Sequence, residues 1–272
     1  MEKLQRNERI AALIKILSDQ PNQLFTFNFF VESFNCAKST LSEDVEILKG
    51  IVERFGLGVV ETISGAAGGV KYLPLIGQDK KEEIIYRLCK DLSDPTRILS
   101  GGFLYMTDII YNPAVIDNVG KIFAEQFITK NFNYVVTVET KGIPIAMMTA
   151  KYLNVPLIIV RRDSKVTEGS SVNINYVSAS SKRIQTMSLS RRALKKNSTV
   201  LFVDDFMKGG GTVRGIIELM REFESSVEGI AVLISTKEPE KKFINEYFSL
   251  ITLNYVNEQE NIIDLIPGIK IS

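Results

Sequence analysis

Between Val200 and Thr212 the chain reads Val-Leu-Phe-Val-Asp-Asp-Phe-Met-Lys-Gly-Gly-Gly-Thr, an apolar run ending in two carboxylates and then in a glycine-rich turn. Consecutive glycines let backbone amides approach a ligand closely. The amides of Lys208, Gly209, Gly210, Gly211 and Thr212, with the Thr212 hydroxyl and the positive end of the following helix, can cradle a phosphate dianion. Asp204 and Asp205 repel phosphate and suit sugar hydroxyls instead, directly or through a divalent ion. A phosphorylated ribose carries both kinds of group at about that separation. Other readings of the run fit it less well. A nucleotide P-loop needs Gly-x-x-x-x-Gly-Lys-Ser/Thr, whereas this lysine precedes the glycines. A phospho-acceptor receiver domain has strand-end acids and a later lysine, for which Lys237 could stand, but its acids belong to the first strand. A tight turn with an acidic helix entrance and no ligand is the remaining alternative.

Composition narrows the chemistry from the other side. The 272 residues are 45% hydrophobic and 24% charged, an ordinary soluble and globular balance, and histidine is absent. That removes Ser-His-Asp and Cys-His catalysis and His-ligated zinc, and two distant cysteines, Cys36 and Cys89, make no Cys-rich cluster. No catalytic residue is assigned, and no metal is expected on protein ligands alone. Reduced thiols suit such a pair, no apolar run approaches the roughly 20 residues that span a bilayer, and no signal-peptide core opens the chain. A cytoplasmic protein without membrane contact is expected.

The net charge of +1 conceals segregation. Residues 1–75 carry 8 basic and 9 acidic side chains, while residues 151–200 carry 10 basic and 2 acidic. The basic block includes Arg161, Arg162, Lys165, Lys182, Arg183, Arg191, Arg192, Lys195 and Lys196 among Ser, Thr, Asn and Gly. Such a block is a solvated face or a surface for polyanions.

The elements that must hold the acidic-glycine run are those of an alternating α/β domain. Tyr134-Val-Val-Thr-Val, Pro156-Leu-Ile-Ile-Val and Thr199-Val-Leu-Phe-Val are continuous apolar runs, as buried parallel strands are. Residues 143–152 make a crossover helix, and residues 212–223 make another with Val213, Ile216, Ile217 and Met220 on one side. Ligands of such a sheet bind beyond the carboxyl ends of its strands.

A boundary near Pro74 sets off a smaller domain. Ile10, Leu13, Ile14 and Leu17 have helical spacing, the aromatics after Thr26 suit a short second helix, and Leu41, Val45, Leu48 and Val52 mark a third. Val59-Val-Glu-Thr and Val70-Lys-Tyr-Leu flank Gly65-Ala-Ala-Gly-Gly as a hairpin. Three helices and a hairpin in this order describe a winged helix-turn-helix, with a helical dimerisation or substrate domain as the alternative. In a winged helix, Lys38, Ser39, Thr40 and Ser42 open the helix that enters the major groove. Arg6 and Arg9 would add phosphate contacts, as would Lys71 on the second strand. A charge of −1 over this segment is weak for that role unless Glu43 and Asp44 lie away from the basic cluster.

The run from Val200 to Thr212 resembles the signature of type I phosphoribosyltransferases, which bind phosphoribosylpyrophosphate (PRPP). Val138-Glu-Thr-Lys-Gly-Ile-Pro144 resembles their pyrophosphate loop, and Arg161 to Arg192 their flexible loop. With a winged helix in front, the whole chain is similar to the purine-operon regulators of Gram-positive bacteria. Ala37-Lys-Ser, Lys165-Val-Thr-Glu-Gly-Ser, Ile174-Asn-Tyr-Val-Ser, Arg183-Ile-Gln-Thr-Met-Ser-Leu and Asp204-Asp-Phe-Met-Lys carry the likeness.

The resemblance implies a winged-helix DNA-binding domain over 1–75 and, over 76–272, a phosphoribosyltransferase-like doubly wound parallel sheet that binds an effector without catalysis. It implies a homodimeric regulator of purine genes, repressor or activator, acting on double-stranded operator DNA. PRPP is the implied effector, with Mg²⁺ arriving on it, and guanosine tetraphosphate is a second. Asp204, Asp205, Phe206, Met207, Lys208, Gly209, Gly210, Gly211 and Thr212 would take ribose and 5′-phosphate. Thr140, Lys141 and Gly142 would take pyrophosphate, and Arg161, Lys165, Tyr176, Ser178 and Arg183 would belong to the flexible loop. An active purine phosphoribosyltransferase with an accessory domain is the competing expectation, and a PRPP-binding regulatory subunit without DNA contact is a third.

Overall fold

The computed structural model describes residues 4–65, 68–162, 169–177 and 184–268. Two compact units result, Met1–Gln78 with Lys151–Asn154, and Asp79–Ala150 with Val155–Ser272.

The first unit is built from α1 (Arg6–Asp19), β1 (Phe25–Thr26), α2 (Phe27–Phe34), α3 (Lys38–Arg54), β2 (Val59–Ile63) and β3 (Gly69–Leu73). Thr26 caps α2 by accepting from the Phe29 amide at 3.2 Å. Asn35, in the left-handed region at φ 47°, ends it and turns the chain into α3. Leu13 and Leu17, Phe30 and Phe34, and Leu41, Val45, Leu48 and Val52 form one core with Val60 and Val70 of the sheet. The sheet order is β1-β3-β2, antiparallel throughout. This is a winged helix-turn-helix, and its two-residue β1 was too short to show as a sequence pattern.

One expectation reverses here. Arg9 is buried, and its guanidinium donates to both oxygens of Asp44 at 2.5 and 3.1 Å and to the Leu4 carbonyl at 2.8 Å. Arg9 therefore clamps α1 to α3, and its buried guanidinium is not presented to a phosphate. Glu43 and Asp44 do not lie apart from the basic cluster either, because Arg6 pairs with Glu43 at 2.8 Å and lies 3.6 Å from Asp44.

The second unit follows with α4 (Gln78–Leu92), the small pair β4 (Ile98–Leu99) and β5 (Phe103–Leu104), α5 (Thr107–Ile110) and α6 (Pro113–Gln126). Then come β6 (Tyr134–Val138), α7 (Gly142–Leu153), β7 (Leu157–Val160), the ribbon β8 (Ser171–Val177) and β9 (Ile184–Ser190), β10 (Thr199–Met207) and α8 (Gly211–Glu222). The chain closes with β11 (Ser226–Thr236), β12 (Phe248–Asn257) and β13 (Ile262–Pro267). Six strands lie in the order β13-β12-β11-β10-β6-β7, parallel except for β13. Val136, Val200 and Phe202 of the sheet pack with Val213, Ile216, Leu219 and Met220 of α8. Strand β10 runs four residues beyond the expected Val203, because Asp204, Phe206 and Met207 still pair with Val232, Ile234 and Ser235 of β11. No helix among the described residues is long and apolar enough to cross a membrane.

Candidate functional site

The carboxyl ends of β6 and β10 lie side by side, since Tyr134 to Val136 pair in register with Val200 to Phe202. That register brings the loop after β6 to the loop after β10. Thr140 and Lys141 thus line one pocket with Asp204, Asp205, Phe206 and Thr212, a cavity of about 390 Å³ that also takes Glu139, Arg162, Tyr176 and Gln185. A neighbouring cavity of about 550 Å³ shares Lys141, Asp205 and Phe206 and extends to Lys208, Phe103, Met106 and Tyr255. Phe103 stands in β5, which with two residues is too short to carry a periodic sequence signal.

Gly142 opens α7 against Asp204. A Cβ built there would lie 2.5 Å from the Thr137 hydroxyl and 2.7 Å from Asp204 Oδ1. Only glycine lets the loop and the strand-end acid approach so closely. The Asp205 amide donates to Asp204 Oδ1 at 2.9 Å, which orients that carboxylate. Burial and the adjoining Asp205 carboxylate hold Asp204 well above the usual carboxylate range.

Gly210, at φ 79°, is the N-cap of α8, so the amides at the start of α8 have no side-chain acceptor supplied by the cap. The Lys208 and Gly209 carbonyls accept from the Thr236 hydroxyl at 3.2 Å and the Phe243 amide at 2.9 Å, which fixes the loop from behind. Met207 departs from the expected roles: it packs into the core beneath the loop, so its side chain is no part of the pocket.

The polar stretch expected as a flexible loop is, where described, an antiparallel ribbon. Strands β8 and β9 pair from Ser171↔Ser190 to Val177↔Ile184, and Tyr176 and Met187 seat on α8 at Gly215, where a Cβ would come within 3.0 Å of the Tyr176 ring. Tyr176 is buried and donates to Gln185 Oε1 at 2.6 Å. Burial pushes its phenol up, opposed by a hydrogen bond with Thr212. Arg161 stands at the ribbon's base, exchanging backbone hydrogen bonds with Ser188 and lying 3.6 Å from Glu139, while Glu139 accepts from the Arg162 amide at 2.8 Å. Lys165, Ser178 and Arg183 lie outside the described residues. No group of three Cys, Asp or Glu among the described residues is arranged to hold a metal.

In the first unit Lys38, Ser39 and Ser42 are exposed at the start of α3 and Thr40 is half-buried. The Lys38 ammonium lies 5.9 Å over the Phe27 ring, and Ser42 donates to the Lys38 carbonyl at 3.0 Å. Ala37 is the N-cap and offers no side-chain acceptor, so the first amides of α3 face outward uncapped. Lys71 is held at 3.1 Å by Glu61.

Comparison with known proteins gives two family matches, one described as "Bacterial purine repressor, N-terminal" over residues 5–74 and one as "Phosphoribosyl transferase domain" over residues 106–264. The purine biosynthesis transcriptional repressor PurR of Bacillus subtilis is 48% identical over 98% of this chain and 93% of its own length. The purine biosynthesis transcriptional activator PurR of Lactococcus lactis is 38% identical over 97% and 98%. Among solved structures, adenine phosphoribosyltransferase from Thermoanaerobacter pseudethanolicus superimposes with a TM-score of 0.53 at 18% identity, covering 61% of this chain and 98% of that one, which shows the fold of the second unit.

Proposed function

This chain belongs to the PurR family of purine-biosynthesis transcription regulators, and from that membership we propose a homodimeric regulator that binds double-stranded operator DNA through its winged helix and senses PRPP without transferase activity. The observation that carries the reading is the convergence of Thr140 and Lys141 with Asp204, Asp205 and Thr212 in one pocket of a chain that begins with a winged helix.

The pocket's own residues divide the ligand between them. The amides from Lys208 to Thr212 and the α8 dipole take the 5′-phosphate. Asp204 and Asp205 accept from the ribose hydroxyls, and the amides and Lys141 ammonium of the 140–142 loop take pyrophosphate. A divalent ion such as Mg²⁺, arriving on the pyrophosphate, supplies charge neutralisation beside the two carboxylates. Guanosine tetraphosphate presents phosphates and a ribose to the same groups. A set of carboxylates, amides and cations holds a phosphosugar, and full-length relatives named as transcription regulators favour sensing over transfer.

The decisive experiment measures anisotropy of a purine-synthesis control duplex titrated with the full chain, alone and with PRPP–Mg²⁺ or guanosine tetraphosphate. Operator binding is expected to be at least ~10³-fold tighter than binding to scrambled DNA, and either effector shifts it by about 5- to 150-fold. Operator affinity that neither effector moves removes the sensing role. Steady pyrophosphate release with PRPP, Mg²⁺ and a purine base would establish the transferase instead.

Two results follow from individual residues. Lys38→Ala removes one phosphate contact, so operator affinity falls on all sequences alike and the slope of log K against log salt drops by about 1; an unchanged slope takes Lys38 out of the interface.

The second concerns Asp204. Its raised pKa keeps the neutral acid to higher pH than an ordinary carboxyl, whereas ribose hydroxyls donate to the carboxylate, so over that added range binding releases a proton. PRPP affinity then rises with pH until the raised value is passed and is flat above it. Asp204→Asn flattens the pH dependence that remains after the ligand's own phosphate titration is subtracted. Calorimetry in two buffers of different ionisation enthalpy measures the proton directly, and zero release overturns the assignment. The same raised pKa makes Asp204's contribution to stability complete below about 3.9 and lost as pH rises through the folded value.

A further inference from the structure

The outer side of α3 carries a row of apolar side chains that its own unit leaves uncovered. Ile47, Ile51 and Phe55, spaced four residues apart, are 39%, 40% and 68% exposed, and Leu57 and Val59 continue the row into β2 at 53% and 40%. Single exposed apolar side chains are common, whereas a contiguous row marks a contact surface.

Three features of α3 point to one occupant. Glu43 and Arg54 border the row on one edge, about 20° apart around a helix of 3.6 residues per turn. The midpoint of this charged pair falls between residues 48 and 49, and the midpoint of Ile47 and Ile51 falls at residue 49. A second α3 laid antiparallel about that centre puts Ile47 against Ile51 of the other copy and Glu43 against Arg54 of the other copy. A parallel arrangement sets acid on acid and base on base. Gly50 lies on the same edge beside that centre, is exposed, and has nothing within 4 Å of where its Cβ would stand. Glycine inside a helix weakens it, and the packing of this unit makes no use of the gap; a helix approaching closely from outside does.

We infer that α3 docks antiparallel on α3 of a second copy of this chain through Ile47, Ile51, Glu43 and Arg54. The inference rests on the homodimeric DNA-binding reading and gives it a geometry. The N-terminal turns of the two helices, with Lys38, Ser39 and Ser42, then point away from a common dyad as a pair of reading heads at fixed spacing. Lys38, Ser39 and Ser42 stand about 80–180° around the helix from Ile47 while Thr40 falls on the row's own arc, so a partner on the row leaves Lys38, Ser39 and Ser42 open to DNA.

The test uses the full chain. Ile47→Cys and Ile51→Cys, co-expressed with tags of different size, are oxidised with copper phenanthroline, with wild type reporting the background of Cys36 and Cys89. A mixed-tag disulfide dimer is expected as the dominant product, and a co-expressed Glu46→Cys and Glu53→Cys pair, about 100–120° around the helix from Ile47, stays monomeric on a denaturing gel. Adding Glu43→Arg to the Ile47 and Ile51 pair lowers the yield several-fold, and adding Arg54→Glu as well restores it. No cross-link between residues 47 and 51, equal cross-linking of the control pair, or no recovery in the double charge swap each overturns the antiparallel contact. A chain that binds operator with full affinity yet gives no cross-link keeps the proposed function and loses this interface, whereas loss of operator binding by wild type strikes the proposed function alone.

Discussion

Asp44→Ala is expected to unfold the winged-helix unit while leaving the effector pocket intact. The Asp44 side chain is fully buried and that of Arg9 is 7% exposed, and together they form a two-pronged ion pair closed by the Leu4 carbonyl. Removing the acid leaves a guanidinium without a counter-charge inside a small core, a loss of about 3–5 kcal/mol in comparable cases. A domain of this size has a total stability of only about 5–15 kcal/mol, so the loss is a large part of it. Calorimetry should show the first unit's transition moved down by tens of degrees or abolished. Operator binding disappears with it, and PRPP binding stays within about twofold, because every lining residue of the pocket belongs to the other unit. An apolar replacement of both partners, Arg9→Met with Asp44→Leu, recovers much of the stability, since the desolvation penalty then goes with the pair. An Asp44→Ala protein with unchanged melting and operator affinity would remove the clamp from the account of this fold.

That clamp also shows where the sequence was legible and where it was not. The loops that line the pocket were readable because the phosphosugar binding proposed for them needs local residue types: glycines for amide approach, acids at a strand end, a hydroxyl at a helix start. Three of the six sheet strands, β6, β7 and β10, were readable because burial on both faces makes them apolar runs. Arg9 and Asp44 were misread because a salt bridge between helices leaves no mark in local composition. A trace did exist, since Asp44 falls on the same helical arc as Leu41, Val45 and Leu48, and a lone acid on a buried stripe calls for a buried partner.

The β8–β9 ribbon was hidden differently. Val172, Ile174 and Tyr176 alternate as a half-buried strand should, but the family resemblance placed the whole stretch from Arg161 to Arg192 as a flexible loop. Gly215 on α8, which receives Tyr176, could be understood only once the two were seen together.

Gly142→Ala is expected to cost at least ~100-fold in PRPP affinity, about 3 kcal/mol, with operator affinity in the absence of effector unchanged. The added methyl would stand 2.5 Å from the Thr137 hydroxyl and 2.7 Å from Asp204 Oδ1, closer than carbon and oxygen can approach. Thr137 is fully buried in β6 and Asp204 is held by β10, so neither gives way readily. The adjustment therefore falls on the 140–142 loop, which moves off its amide geometry, or on the Asp204 carboxylate, which turns from the ribose. Either loses contacts that the ligand needs at once, unlike Lys141→Ala, which removes one charge and leaves the backbone in place.

A second substitution separates crowding from other causes. The Thr137 hydroxyl is buried without a hydrogen-bond partner among the described residues, so Thr137→Ala alone removes no bond and costs little. In Thr137→Ala with Gly142→Ala the tighter of the two contacts is gone, and part of the PRPP affinity returns. Isothermal titration of the four proteins measures the coupling, and a double variant no better than Gly142→Ala alone would place the damage wholly at Asp204.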